Sequence, residues 1–244
     1  VLYCFGLTEA SESEGMDRKH MRLPENQTRL LEQIVKVNPH VIGILSAGAP
    51  VEMPWLSCCQ GLLHGYLAGE GGGGAMLEVV TGRVNPSGKL SETYPMTYED
   101  TPAFVFGSGP EDRCEYREGI FTGYRYYDRR EIPVCFPFGF GLSYTSFSYS
   151  DLKTDETGVS FTITNTGEYA GSEIAQLYVG MGESRILRPK KELKGFKKVF
   201  LEPGESRSVN IPFDDRTFRF WDTNRGQWET EGGIYKILVG ANVS

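Results

Sequence analysis

Three carboxylates crowd one short stretch of the chain: Glu9, Glu12 and Glu14, followed directly by Gly15-Met16-Asp17-Arg18. Carboxyl groups this close repel one another when ionised, so one of a set can keep a proton and serve as a general acid. On spacing alone, a solvated acidic loop is the simpler reading. Other chemistries have less footing. The histidines are His20, His40 and His64, none at HExxH spacing, and no GxSxG elbow occurs. A self-contained zinc or serine hydrolase is therefore not expected. Gly69-Glu70-Gly71-Gly72-Gly73-Gly74 formally contains GxGxxG, but the helix after it spans barely two turns and no clean apolar strand follows. A structural tight turn is expected there rather than a dinucleotide site, and no Gly-Lys-Ser/Thr completes a Walker loop. Five cysteines (Cys4, Cys58, Cys59, Cys114, Cys135) lack zinc-type spacing, and the adjacent pair has a geometry that rarely forms a disulfide. Reduced thiols are expected. Asn26-Gln27-Thr28 and Asn242-Val243-Ser244 match the glycosylation pattern, which is short enough to arise by chance.

The acidic stretch follows a short apolar run, Val1 to Leu7, compatible with a buried parallel strand. The polar loop then runs from Thr8 to Arg22. In open α/β sheets ligands bind beyond the carboxyl ends of the strands, so this loop stands where a site belongs. Pro24 suits the first helical position, with Glu25 in the first turn, where the backbone dipole favours an anion. Leu30, Ile34 and Val37 recur with Leu31 and Val35 at helical spacing, and Asn38-Pro39 stops the helix. Val41 to Leu45 and Leu62 to Leu67 read as further buried strands, and Ala75 to Thr81 as a short helix ended by Gly82. That alternation predicts a parallel sheet covered by helices. After about residue 83 the character changes. Tyr94 to Gly141 is rich in aromatics, Pro and Gly without a helical period, and is expected to be an irregular packed connection. From about Ser143 the pattern is β only. Candidate strands are Val159–Thr164, Ile174–Val179, Glu192–Val199, Ser208–Phe213 and Ile234–Val239, divided by turns at Asn165-Thr166-Gly167, Pro203-Gly204 and Glu231-Gly232-Gly233. The basic stretch Arg185, Arg188, Lys190, Lys191, Lys194, Lys197, Lys198, alternating with Leu193, Phe196 and Val199, reads as the solvated face of a strand.

The fold class is thus α/β (mostly parallel sheet, three-layer sandwich) followed by an all-β fibronectin III/immunoglobulin-like sandwich. The expected domains are 1–93 for the α/β part, 94–142 for the connection and 143–244 for the sandwich. Lys and Arg number 25 against 32 Asp and Glu in 244 residues, a net charge of −7. An acidic chain with no basic arm cannot displace the counterions of a nucleic acid. Hydrophobic residues at 39% supply a core and exclude disorder on composition. No apolar run approaches the roughly 20 residues of a membrane-spanning helix. No nucleic acid and no membrane are expected as partners, and the compartment expected is cytoplasmic. The chain opens at Val1 in what reads as the middle of a strand, which suggests a piece of a longer or processed product.

Several segments together resemble glycoside hydrolase family 3, the β-glucosidase and β-xylosidase family. They are ESEGMDR (12–18), LPENQ (23–27), VNPHVIGILSAGAPVEMPW (37–55), NPSGKLSETYP (85–95), EGIFTGYRYYD (118–128) and FPFGFGLSYTSFSY (136–149). ELKGFKKVFLEPGES (192–206) and GGIYKILVGAN (232–242) extend the match into the β region. The resemblance implies the end of the family's α/β sandwich domain plus its fibronectin III-like domain. One departure is visible: the family commonly has Gly-Gln-Glu-Gly-Gly where this chain has Gly69-Glu70-Gly71-Gly72-Gly73. The glycine turn is kept, and any polar role of the Gln-Glu pair is in doubt.

By that resemblance the chain is the C-terminal part of a retaining β-glucosidase that hydrolyses terminal non-reducing β-D-glucosyl residues. A (β/α)8 barrel alone takes about 250 residues and does not fit here, so the nucleophile is expected on an upstream segment or a separate chain. The position resembling the general acid/base is Glu14, with Glu12 as the alternative, and Asp17 and Arg18 look like an ion pair shaping the loop. The expected partners are a β-glucoside or oligosaccharide and the barrel; no cofactor and no metal are implied. The isolated chain is expected to be inactive without the barrel. A different class of reading is a non-catalytic carbohydrate-binding or inter-domain scaffold module, with Tyr124, Tyr126, Tyr127, Trp221 and Trp228 as stacking candidates; burial as packing is the simpler reading for most of them.

Overall fold

Leu2–Gly6 forms β1, a short strand beside which Ile42–Ser46 (β2) and Gly61–His64 (β3) line up in parallel, in the order β1-β2-β3. Leu2 pairs Ile42 and Gly6 pairs Ser46, so both strands end level with one another. The computed structural model describes residues 1–106 and 115–244; Cys114 lies outside the described residues. The described cysteines, Cys4, Cys58, Cys59 and Cys135, are free thiols. No helix among the described residues is long and apolar enough to cross a membrane.

Helix α1 (Glu25–Val37) follows the acidic loop, with Pro24 at the N-cap, so the helix begins one residue later than expected. Leu31 is fully buried, with Ile34 and Val35 packed beside it, whereas Leu30 and Val37 of the expected apolar face point to solvent. The core of this part gathers Phe5, Leu23, Leu31, Val41, Leu45, Ala47, Val51 and Trp55. The third strand stops at His64, three residues short of the expected end, because Tyr66 takes a left-handed backbone with φ 50 and turns the chain out of the sheet. The glycine run then opens helix α2 (Gly72–Val80). The segment 94–142 holds regular pieces as well. Tyr94–Pro95 (β4) pairs antiparallel with Val134–Phe136 (β5), Pro102–Phe106 is a short helix α3, and Tyr124–Arg130 is a helix α4 with Tyr124, Tyr126 and Tyr127 all buried.

The chain divides into two compact units. One comprises Val1–Val84, residues 94–106 and Pro133–Phe136; the other comprises Asn85–Thr93, Glu115–Ile132 and Pro137–Ser244. The second unit carries the β sandwich. One sheet orders Ser206–Pro212 (β10), Gly158–Asn165 (β7) and Phe147–Thr154 (β6); the other orders Tyr235–Gly240 (β13), Gly171–Met181 (β8) and Glu192–Leu201 (β9). Every pairing is antiparallel. Arg219–Asp222 (β11) and Gln227–Thr230 (β12) make a separate hairpin. Alternate residues of both sheets (Val159, Phe161, Ile163, Ala175, Leu177, Val179, Val199, Leu201, Val209, Ile211) fill the space between them. The turn after β7 is built on Asn165, which is fully buried yet satisfied. Its amide donates to the carbonyls of Tyr169 and Leu201, and its oxygen accepts from Thr145 Oγ1 and Gly167 N.

Two expectations change in and just before β9. Val199 and Leu201 face the core, and the period of two that places them there sends Phe196 outward with Lys198. The basic stretch is also less solvated than expected. Arg188 is one-tenth exposed, pairs with Glu231 at 3.4 Å and lies over the Phe220 ring, while Lys190, Lys191 and Lys194 pair with Glu131, Asp128 and Glu192.

Candidate active site

The carboxyl ends of β1, β2 and β3 present three loops at one edge of the parallel sheet, which is where ligands bind in folds of this kind. The loop after β1 begins with a short 3-10 turn, Glu9–Ser11, closed by Ser11 N on Thr8 O at 2.8 Å. Glu12 follows, half-buried, and its Oε1 accepts the backbone N–H of Gly48 in the loop after β2 at 2.7 Å. The approach is close: a Cβ at Gly48 would lie 3.0 Å from that oxygen. The chain then turns back on itself, with Met16 N donating to Ser13 O at 3.3 Å. Gly15 occupies the third position of this turn with φ 80, the signature of a type II turn and a conformation that a Cβ would strain. Glu14 sits at the second position, exposed, at the corner of the loop.

Beyond the turn, Arg18 is half-buried and its Nη1 lies 3.5 Å from Pro50 O, while Nη2 is buried without a hydrogen bond. The ion pair expected between Asp17 and Arg18 does not form. Asp17 is exposed, and the carboxylate that acts on Arg18 is Glu12, which partly opposes the downward pull of burial on the guanidinium. Glu52 N donates to Met21 O at 2.8 Å, and Arg22 lies 4.0 Å from the Glu52 carboxylate, so the loop is tied down again at its exit.

His64, at the end of β3, belongs to the same edge. Burial lowers its pKa, and the Leu45 carbonyl and Glu12 oppose that shift. Its Nδ1 faces Leu45 O at 3.4 Å and its Nε2 meets Tyr94 Oη at 2.5 Å. A neutral ring satisfies both contacts with Nδ1–H donating and Nε2 accepting from the tyrosine. The sequence carried no pattern that singled out His64: its partner Tyr94 is 30 residues away. Glu9, the third carboxylate of the stretch, is exposed. Among the described residues no group of three His, Cys, Asp or Glu side chains could hold a metal ion.

The stacking candidates separate cleanly. Tyr124, Tyr126 and Tyr127 are buried, and Tyr124 spends its hydroxyl on Leu193 N. Trp221 and Trp228 are half exposed and face each other edge to face across the β11–β12 hairpin, with ring centroids 5.6 Å apart.

Residues 1–144 match the model of the glycosyl hydrolase family 3 C-terminal domain, and residues 173–243 match that of the fibronectin type III-like domain. The thermostable beta-glucosidase B of Acetivibrio thermocellus is 47% identical over 243 residues, covering 96% of this chain and 32% of the relative. An exo-alpha-(1->6)-L-arabinopyranosidase of Bifidobacterium breve is 42% identical over 248 residues, covering 99% of this chain and 33% of the relative. The crystal structure of a family 3 beta-glucosidase from Bifidobacterium adolescentis superposes with a TM-score of 0.94 at 41% identity, over 99% of this chain and 37% of that one. A beta-glucosidase from Kluyveromyces marxianus in complex with glucose gives 0.93 at 40% identity, over 99% of this chain and 30% of that one. The chain spans about a third of the length of the curated relatives it matches. With its α/β unit matching the family's C-terminal domain and its sandwich matching the fibronectin III-like domain, the chain belongs to glycoside hydrolase family 3.

Proposed function

We propose that this chain is the acid/base-bearing portion of a retaining β-glucosidase acting on terminal non-reducing β-D-glucosyl residues. Glu14 is the general acid/base, and a (β/α)8 barrel outside this chain supplies the nucleophile and the walls of the sugar pocket. The observation that carries this reading is the type II turn at the carboxyl edge of the sheet, which lifts Glu14 out of the loop at its corner while the flanking residues are tied down. Acetal cleavage needs a proton on the leaving oxygen and a stabilised oxocarbenium-like centre, and retaining enzymes place the two carboxyl groups about 5–5.5 Å apart. In the first step the barrel carboxylate bonds to the anomeric carbon as the aglycone oxygen leaves with the Glu14 proton. In the second, Glu14 as carboxylate takes a proton from water, the hydroxide attacks the anomeric carbon, and the glycosyl ester is released. Without a barrel the chain has one of the two groups and no turnover is expected.

The test is chemical rescue in the enzyme assembled from this chain and its barrel. An activated aryl β-glucoside needs little acid to leave, so Glu14→Ala should still form the glycosyl-enzyme and stall in deglycosylation. Added azide should then restore turnover by roughly ten- to a hundredfold and yield β-glucosyl azide. Full activity of Glu14→Ala without azide would remove Glu14 from the reaction; rescue of Glu12→Ala instead would move the assignment by two residues.

A second reading, a carbohydrate-binding module, is favoured by one observation: the half-exposed Trp221–Trp228 pair. Quenching of tryptophan fluorescence by soluble β-glucan in the chain alone, lost in Trp228→Ala, would support it.

A further inference from the structure

The two anchors on either side of Ser13–Asp17 assign different jobs to the carboxylates of this loop. Upstream, Glu12 Oε1 is committed to Gly48 N at 2.7 Å. Downstream, Arg18 reaches Pro50 O, two residues further along the same β2 loop. Between them the chain makes a single turn, and Glu14, at its corner, has no hydrogen bond or ion pair of its own among the described residues. The anchors are also coupled to each other, because Glu12 is the carboxylate acting on Arg18.

We infer that Glu12 is a positioning residue, which together with Arg18 clamps the Ser13–Asp17 turn to the β2 loop and so fixes where the Glu14 carboxyl is presented. The inference rests on the acid/base reading of Glu14 for its effect on rate, but not for the clamp itself. A loop of this size left free would sample many orientations of Glu14, and a displacement of about 1 Å at a reacting group costs on the order of a hundredfold in rate. The Gly48 N–H is a suitable anchor because it belongs to backbone fixed by Ala47 and Val51, both fully buried. Glu12 offers that N–H an acceptor oxygen and offers Arg18 a charge; glutamine keeps the first and loses the second.

Two measurements separate the clamp from the chemistry. In the 244-residue chain, amide hydrogen exchange by NMR should speed up about tenfold at Gly48 and across 13–17 in Glu12→Ala, stay near native at Gly48 in Glu12→Gln, and stay native at Ile44 and Leu45 in both. Native exchange at Gly48 in Glu12→Ala overturns the clamp whatever the kinetics. In the enzyme assembled with its barrel, Glu12→Ala should lower kcat/KM on an unactivated β-glucoside by about ten- to a hundredfold. The basic limb of its pH–rate profile should be retained, no glucosyl azide should form, and Glu12→Gln should recover most of the loss. A flattened basic limb with glucosyl azide from Glu12→Ala would make Glu12 the acid/base and overturn the positioning role. If Glu14→Ala is the variant that keeps native rate and profile, the acid/base reading fails alone, and the exchange result still decides the clamp.

Discussion

At the scale of single residues, the neutral His64 has a consequence that pH can expose. Burial pulls its pKa below the ordinary 6.5, against the smaller opposite effects of the Leu45 carbonyl and Glu12. The unfolded chain therefore takes up the proton first as pH falls. The stability tied to His64 is whole above about pH 6.5 and declines as pH drops from there toward the lower folded value. Urea midpoints should fall between pH 7.5 and 5.5 in the native chain and fall less in His64→Gln; equal slopes would refute a buried neutral imidazole. At neutral pH, Tyr94→Phe removes the donor to Nε2 and should cost about 1–3 kcal/mol, the penalty of a buried acceptor left unmet. These are effects that no residue pattern announces. Glu12 and Glu14 stand two apart in a visibly acidic run, yet their difference lies in Gly48 and Pro50, more than 30 residues on, and in the positive φ of Gly15.

At the scale of elements, helix α4 earns its place through a fault in the sheet. The pairing of β8 with β9 slips between Leu177 and Tyr178: Leu177 faces Gly195, Tyr178 faces Leu193, and Lys194 is left over. A bulge of this kind frees backbone groups from the ladder. Here the Leu193 N–H donates to Tyr124 Oη of α4 at 2.8 Å, and the Tyr124 ring packs edge-on against Tyr178 and beside Phe138. Tyr124→Phe should cost about 1–3 kcal/mol through the orphaned N–H. Tyr124→Ala should cost about 3–5 kcal/mol through the added cavity, and equal losses would mean that the hydroxyl does the holding. Alternation in Val159–Thr164 was legible because β7 is buried on one face along its whole length. The outward turn of Phe196 was not, since an aromatic beside lysines reads as core until the register is known. Helix α4 was hidden because its seven residues make barely two turns, too short a stretch for a period of 3.6 to show. The parallel strands and the sandwich were legible because short apolar runs between Gly, Pro and Asn punctuation are what such sheets require.

At the scale of the whole chain, the two units are interleaved in sequence, and the sandwich draws on residues well before its first strand. Asn85 donates to Ala170 O at 2.9 Å and accepts from Ser143 Oγ and Tyr144 N, each at 2.8 Å. Lys89 meets Glu173 at 3.0 Å with both side chains about nine-tenths buried. A fragment beginning at Ser143 keeps Glu173 on β8 and loses its cation, and a buried charge stripped of its partner costs about 3–5 kcal/mol. For a domain of this size that amounts to roughly 10–20 °C in Tm. Residues 85–244 should therefore melt in one cooperative step, and residues 143–244 should melt lower by that margin. Glu173→Gln should narrow the gap in the short fragment, because a neutral amide is far less costly to bury than a carboxylate that has lost its cation. In the full chain the same substitution should destabilise, because it takes the charge from a pair that is complete. Opposite signs for one substitution in two lengths of chain are the signature of an ion pair reaching back to residue 89; the same sign in both would place the boundary of the folding unit at Ser143 instead.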